Sequence, residues 1–388
     1  MIKKNICVIT GTRAEYGLLS PLIKKISIDD SLNLQLVVTG AHLSPEFGLT
    51  YKEIEKDGFK IDKRIEIILS SDTSVAINKS MGLAMISFSE YFEESKPDLV
   101  IVLGDRYEIF AATTAAAISK IPIAHIHGGE TTEGATDEFL RHSITKMSYL
   151  HFTSAKEYRN RVIQLGEEPE RVFEVGALGV ENIKTMNLMD IKELEDSIGF
   201  KLDKPYGLVT FHPVTMEDGK AKEQFEELLK ALDNFKNMKF IITKANSDSD
   251  GRIINKLIDE YSINNKEKVI SFTSMGKLRY LSAMKYCSLV IGNSSSGIIE
   301  APSFNVPTIN IGDRQKGRIQ AKSVINCEPN FNDIKKAIVL ALNTNFNDEI
   351  RKCESPYGSG QTSNEILKII KDYLINNKIN LKKSFYNI

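Results

Sequence analysis

Residues 98–127 read DLVIVLGDRYEIFAATTAAAISKIPIAHIH, and their order decides the fold. Five consecutive apolar residues, Leu99 to Leu103, end at Gly104 and Asp105. An alanine-rich stretch of helical character spans 109–119, and a second apolar run covers 121–127. A strand that is apolar at every position is buried on both faces, and two such strands joined by a helix form a parallel βαβ unit. The same grammar holds upstream. Residues 5–11 (NICVITG) and 34–40 (LQLVVTG) read as strands, with Leu18, Leu19, Leu22, Ile23 and Ile26 at helical spacing between them. The pattern restarts after about residue 185. Strands expected over 207–211, 239–243, 269–273, 289–291 and 308–311 alternate with helices such as 192–200, 223–235 and 251–261. The expected architecture is α/β, with two Rossmann-like domains over 1–185 and 186–362 facing a central cleft. In the remaining segment, 363–388, a last helix over 363–375 crosses back to the first domain.

Composition narrows the function. The 388 residues are 42 % hydrophobic and 26 % charged, an ordinary balance for a folded chain of two or three domains. Lys plus Arg (50) and Asp plus Glu (51) cancel, which argues against a broad basic face for nucleic acid or an anionic membrane. No apolar run reaches the ~18–20 residues of a membrane span, and no secretory signal is evident. The cysteines Cys7, Cys287, Cys327 and Cys353 form no CxxC pair, so a reduced, cytoplasmic protein is expected. Six histidines without HExxH or paired Cys/His spacing give no expectation of a structural zinc site.

Ligands of an open parallel sheet sit beyond the carboxyl ends of its strands, and most of the unusual polar residues lie there. Residues 292–297 (GNSSSG) follow a strand and precede an apolar, helical stretch over 298–304. Their small side chains let backbone N–H groups approach a phosphate; the plainer reading is a serine loop that caps a helix. The loop is neither a Walker A sequence nor GxGxxG, so neither ATP hydrolysis nor nicotinamide binding is indicated. Arg13, Arg106 and the group Arg314, Lys316 and Arg318 each follow a strand and suit a diphosphate, or are solvated loop cations. Asp105, Glu130 and Asp137 are the acidic group, with Arg141 one turn after Asp137 and a second i,i+4 pair in Glu138 and His142. Several carboxylates together suit proton abstraction, although acids in a first helical turn also stabilise the helix dipole. His125 and His127 alternate along a strand and face opposite ways, so one is expected in the core. His212, between Phe211 and Pro213, is the better candidate for a site.

Taken together, GTRAEY from Gly11, LGDRYE from Leu103, HIHGGE from His125, Asp137-Glu with RHSITK from Arg141, GNSSSG from Gly292 and GDRQKGR from Gly312 resemble one family. It is that of the hydrolysing UDP-N-acetylglucosamine 2-epimerases of sialic-acid and legionaminic-acid synthesis, and the resemblance runs from about residue 4 to 375. It implies a GT-B fold, with UDP held mainly by the second domain and no cofactor. By position, Arg13, Arg106, His212, Asn246, Ser294, Ser295, Ser296 and Arg314 are implied nucleotide-diphosphate contacts, and Glu300 is implied to grip the ribose. Asp105, Glu130 and Asp137 match the catalytic acids, and Arg141 and His142 the polar shell around them. The implied reaction removes the C2 proton as UDP leaves C1, then hydrates the 2-acetamidoglycal with inversion at C2. The non-hydrolysing relatives carry Gln-His-x-x-Met where this chain reads Ala41-His42-Leu-Ser-Pro45, and His-x-Glu-Ala-Gly where it reads His127-Gly-Gly-Glu; both departures favour hydrolysis. The sugar is expected to be N-acetylglucosamine, with 2,4-diacetamido-2,4,6-trideoxyglucose, or a GDP-linked sugar, as the alternative; residues 131–136 (TTEGAT) are the expected discriminating loop. A nucleotide-sugar sensor lacking catalysis and a glycosyltransferase are the competing classes. The family also suggests a homodimer or homotetramer.

Overall fold

The computed structural model describes residues 3–388 except 70, 72, 134, 215–218, 246–249, 353–354 and 359. By packing, the chain divides into two compact units. The first comprises Met1–Glu130, Asp137–Lys184 and Tyr357–Ile388, and the second Thr131–Thr136 and Thr185–Pro356.

The first unit is built on a parallel sheet of seven strands: β1 (Lys4–Thr10), β2 (Leu32–Thr39), β3 (Lys63–Ile65), β4 (Leu99–Leu103), β5 (Ile123–Ile126), β6 (Leu150–Thr153) and β7 (Val172–Glu174). Their spatial order is β3-β2-β1-β4-β5-β6-β7. Alternate residues of β1 enter opposite layers. Ile6 and Val8 pack with Leu19, Leu22 and Ile23 of helix Arg13–Ser27, whereas Cys7 and Ile9 pack with Phe88 and Phe92 of helix Ser74–Ser95. This two-sided burial is why the strand is apolar from Ile6 to Ile9. The last helix, Thr362–Ile375, closes the first of these layers through Ile366, Ile370 and Leu374.

The second unit repeats the plan with six parallel strands: β8 (Tyr206–Thr210), β9 (Lys239–Thr243), β10 (Val269–Phe272), β11 (Leu289–Gly292), β12 (Thr308–Ile311) and β13 (Val324–Cys327), ordered β10-β9-β8-β11-β12-β13. Along β8, Val209 faces the layer that contains Phe225 and Leu228, and Tyr206 and Leu208 face the layer of Ala283 and Met284.

Each sheet has one place where strand order reverses, between β1 and β4 in the first unit and between β8 and β11 in the second. Helices leaving the two central strands diverge to opposite faces there and open a crevice at the carboxyl ends. The expected helix over 298–304 is instead two short pieces, Ser295–Ile299 and a 3-10 turn Ala301–Phe304. Pro302 has no N–H to continue an α-helical ladder. No helix among the described residues is long and apolar enough to cross a membrane.

Candidate active site

The strand ends of the first unit carry a charged network centred on Arg141. Its side chain is fully buried on helix Asp137–Met147. Nε donates to Asp105 Oδ2 at 2.8 Å, and the Nη2 group donates to the same oxygen. Nη1 donates to the Glu130 carbonyl at 2.8 Å and to Glu138 Oε2 at 2.9 Å. Burial alone would weaken the guanidinium charge, but Asp105 and Glu130 reverse the balance and hold the proton more firmly than usual. Arg141 is thus a fixed cation that orients two carboxylates and one carbonyl. Asp105 follows Gly104, which ends β4 with a φ of 78°. Glu138 also accepts from His142, whose Nε2 lies 3.1 Å from Oε1. Asp137 is the half-buried first residue of the same helix.

Glu130 is almost completely buried. Its Oε1 accepts from Ser154 Oγ at 2.8 Å and lies 3.3 Å from His127 Nδ1. The turn that delivers it is demanding. His127 has a φ of 67°, a left-handed conformation uncommon for a residue with a Cβ. At Gly129 (φ 78°) a Cβ would stand 2.3 Å from the Tyr158 carbonyl oxygen, so only glycine fits. His127 therefore sits beyond β5 beside Glu130, and His125 is the core histidine. His125 Nε2 donates to the Gly104 carbonyl at 2.7 Å, and its Nδ1 accepts from Thr145 Oγ1 at 3.1 Å. Burial depresses its pKa to about 3, so the ring is neutral.

The cations at the ends of β1 and β4 are also anchored. Arg106 precedes helix Tyr107–Ile118 and donates from Nε to Glu108 Oε1 at 2.7 Å. Glu108 is fully buried and packs against Gly11, where a Cβ would meet it at 2.6 Å. Arg13 is the half-buried first residue of its helix. Beneath it Thr12 and Glu15 form a capping box, and Glu15 accepts from the Gly11 amide at 2.7 Å. Burial, reinforced by neighbouring Glu108, pushes the Glu15 carboxyl up to about 8.

In the second unit the organising residue is Asn293, fully buried after β11. Its side chain clamps the backbone of His212, accepting from the amide at 2.7 Å and donating to the carbonyl at 2.8 Å. Its own carbonyl accepts from Arg314 Nη1 at 3.1 Å and Gln315 Nε2 at 2.8 Å. Gly292 makes the close approach possible: at φ 131° a Cβ would lie 1.9 Å from the Thr210 carbonyl oxygen. Ser294 caps helix Ser295–Ile299, and the Ser296 hydroxyl lies 3.3 Å from Ser294 Oγ and 2.6 Å from the Tyr280 hydroxyl. Glu300 follows this helix, half-buried; burial raises its carboxyl pKa to about 7, with Lys277 opposing. Asn246 lies outside the described residues.

The structure therefore gathers Asp105, Glu130, Arg141 and His142 into one network, with Asp137 at the head of the same helix. It gathers His212, Ser294, Ser296 and Arg314 around a second, with Ser295 and Glu300 at the two ends of the short helix. The sequence reading passed over Asn293, Tyr280, Glu108 and Ser154. Asn293 stood inside the quoted GNSSSG loop, where an amide directly after a strand glycine was the available signal; Tyr280 and Ser154 carried none. Among the described residues no three His, Cys, Asp or Glu side chains are gathered so as to hold a metal ion.

The family model for UDP-N-acetylglucosamine 2-epimerase matches residues 24–371. The chain is 46 % identical to the GDP/UDP-N,N'-diacetylbacillosamine 2-epimerase (hydrolyzing) of Campylobacter jejuni over 95 % of both chains. It is 42 % identical to the polysialic acid biosynthesis protein P7 of Escherichia coli over 99 % of this chain and 98 % of that one. The crystal structure of Methanocaldococcus jannaschii UDP-GlcNAc 2-epimerase in complex with UDP-GlcNAc and UDP superposes with a TM-score of 0.78 at 22 % identity, covering 95 % of this chain and 99 % of that one. That likeness extends to the fold, which is of the GT-B type.

Proposed function

The chain belongs to the family of UDP-N-acetylglucosamine 2-epimerases, and we propose that it is a hydrolysing member acting on a UDP-linked 2-acetamido sugar. The observation that carries this reading is the Arg141 network, which holds Asp105 beside Glu130 and Glu138 at the strand ends of the first unit. Fixed carboxylates suit removal of the C2 proton and delivery of a solvent-derived proton from the opposite face. In the first stage a carboxylate takes that proton, the C1–O bond breaks with its electrons leaving on UDP, and a 2-acetamidoglycal forms. In the second, water adds its hydroxyl to C1 and a proton reaches C2, giving a free manno-configured sugar. Asp105, Glu130 and Asp137 share these transfers, with Arg141 and His142 setting their charge. His212, Ser294, Ser295, Ser296 and Arg314 take the diphosphate, whose developing charge is met by fixed donors, and Arg13 and Arg106 are assigned to it by their place in the sequence. Glu300 takes the ribose hydroxyls. Asn246 is assigned to the nucleotide by its place in the sequence.

Hydrolysis rather than reversible epimerisation is supported by His42, the one survivor of the motif that marks the non-hydrolysing relatives. It is buried, lies 3.1 Å from Thr10 Oγ1 and 2.8 Å from Thr50 Oγ1, and burial depresses its pKa to about 3. It is a core residue here. The sugar we favour is N,N'-diacetylbacillosamine, on the 46 % identity to the Campylobacter jejuni enzyme. UDP-N-acetylglucosamine is the second reading, supported by the 42 % identity to the polysialic acid protein. The reading includes a homo-oligomer, supported by Val75, Leu83 and Ile86 of helix Ser74–Ser95, which are 61 %, 42 % and 61 % exposed.

A proton NMR time course in D2O with each UDP-sugar tests the reaction. The expected result is UDP release with a free manno-configured sugar deuterated at C2, faster from the diacetamido substrate. A UDP-linked epimer formed without UDP release, or binding without turnover, overturns the hydrolytic reading.

A further inference from the structure

The first two turns of helix Asp137–Met147 carry Asp137, Glu138, Arg141 and His142; its other end is held by the last residues of the chain. After helix Thr362–Ile375 the backbone runs along the first unit. The Lys378 carbonyl accepts from the Tyr149 hydroxyl at 3.2 Å, and the Tyr386 amide donates to the Gly166 carbonyl at 2.9 Å. Between these anchors Lys383 reaches inward. Its ammonium donates to the Lys146 carbonyl at 3.0 Å, to the Ser148 carbonyl at 2.6 Å and to Glu167 Oε2 at 2.6 Å. The two carbonyls belong to the carboxyl end of the helix, which a cation stabilises both as hydrogen-bond donor and against the macrodipole.

Glu167 makes this a closed node. It is fully buried and also accepts from Lys146 at 2.6 Å and from His151 at 3.0 Å. Burial alone would raise its pKa, but His151, Lys146 and Lys383 hold it down to about 2. Phe385 completes the seal. It packs against Gly166, where a Cβ would stand 2.4 Å from the ring, and Lys146 Nζ lies 5.0 Å from the ring centroid. From this node a short chain of contacts leads to Asp105. Thr145, next to Lys146, bonds His125, and His125 bonds the carbonyl of Gly104, the residue before Asp105.

We propose that Lys383 is a positioning residue: by capping the carboxyl end of helix Asp137–Met147 it fixes the register in which Arg141 meets Asp105. The inference rests on the functional reading above only for its effect on turnover.

The test uses the full chain with Lys383→Met, which keeps the aliphatic stem, and Lys383→Arg, which keeps the charge. Lys383→Met is expected to lower kcat about tenfold, since small displacements of reacting groups are costly. KM and the UDP dissociation constant stay within about twofold, and Lys383→Arg restores most of the rate. Hydrogen–deuterium exchange gives a readout independent of the reaction: amides over 141–147 exchange faster in Lys383→Met while those of β8 and β11 do not change. Unaltered kcat with unaltered exchange overturns the proposal. So does acceleration spread evenly through β1 and β4, which would mark general destabilisation. If the wild-type chain releases UDP from neither sugar, the functional reading fails, and exchange at 141–147 still decides the positioning role.

Discussion

The two units share a topology and place their polar residues at the same kind of strand-order reversal, yet they furnish these positions with opposite chemistry. In the first, the network is made of formal charges: Asp105 and Glu138 answer Arg141, and Glu130 is buried beside His127 and Ser154. In the second, the centre is neutral: an amide, two backbone groups, serine hydroxyls and a tyrosine, with Arg314 at the margin. Titratable groups in partial burial have protonation states that neighbours can move, which proton transfer requires. Neutral donors fixed by the backbone hold an anion without reorganising. On the proposed reading, one fold serves two tasks through the residues placed after β4 and β11.

The strongest way to break this contrast is Asp105→Asn. The variant keeps the shape and removes one charge, so turnover should fall by about 10²–10⁴-fold, the usual worth of a general acid or base. UDP affinity measured by calorimetry should stay within about threefold. Arg141 keeps Glu138 as a counter-charge, so the loss of stability should be about 1–3 kcal/mol, below the cost of stripping a buried ion of every partner. A parallel collapse of turnover and UDP binding would show that Asp105 itself helps to hold the leaving group. Asn293→Ala tests the other side. It leaves the His212 amide and carbonyl buried without their clamp, costing about 2–4 kcal/mol. UDP affinity should fall about tenfold or more, or at least ~1.4 kcal/mol, as a rise in KM larger than the fall in kcat. Intact UDP affinity with lost turnover would reverse the assignment.

The contrast was only half legible in the sequence. The strands β1, β4, β8 and β11 declared themselves because burial on both faces makes their central positions apolar, and their ends marked the candidate residues. The edge strands β3, β7 and β13 did not: Lys63-Arg-Ile, Val172-Phe-Glu and Val324-Ile-Asn-Cys are short and partly polar, since one side of an edge strand meets solvent. β6 (Leu-His-Phe-Thr) hid for another reason. His151 is fully buried, but its partner Glu167 lies sixteen residues on, and Lys383, which also binds Glu167, far beyond that. Among the candidate residues, types and places were readable and partners were not. Arg141 was visible as an i+4 neighbour of Asp137, yet its bonds run to Asp105 and to the Glu130 carbonyl. The packing of Thr131–Thr136 with the second unit was equally hidden. It depends on Arg318 donating to the Thr131 carbonyl at 3.3 Å and on Gly317, whose missing Cβ leaves room for Thr131.

The finest test concerns Glu300, a carboxyl among the candidate residues of the second unit. Its folded pKa of about 7 stands above the ordinary 4.5, so between these values the folded chain binds more protons than the unfolded one. Stability therefore falls as pH rises across that interval, and the contribution is fully present only below it. Glu300→Gln has no proton to lose, so its stability relative to the wild type should increase from pH 4.5 to 7 and level off above. Glu15, raised to about 8 in the first unit, imposes a slope of the same sign on both proteins and cancels in the difference. The same carboxyl should report on the nucleotide. Ribose hydroxyls donating to Glu300 favour its ionised form, so UDP binding near pH 6.5 should release protons, seen as calorimetric heats that depend on the buffer's ionisation enthalpy. Glu300→Gln should bind UDP more weakly and without that dependence. If the variant kept the wild-type proton release, the protons would come from another group, such as the terminal phosphate of UDP, and the ribose assignment of Glu300 would fail.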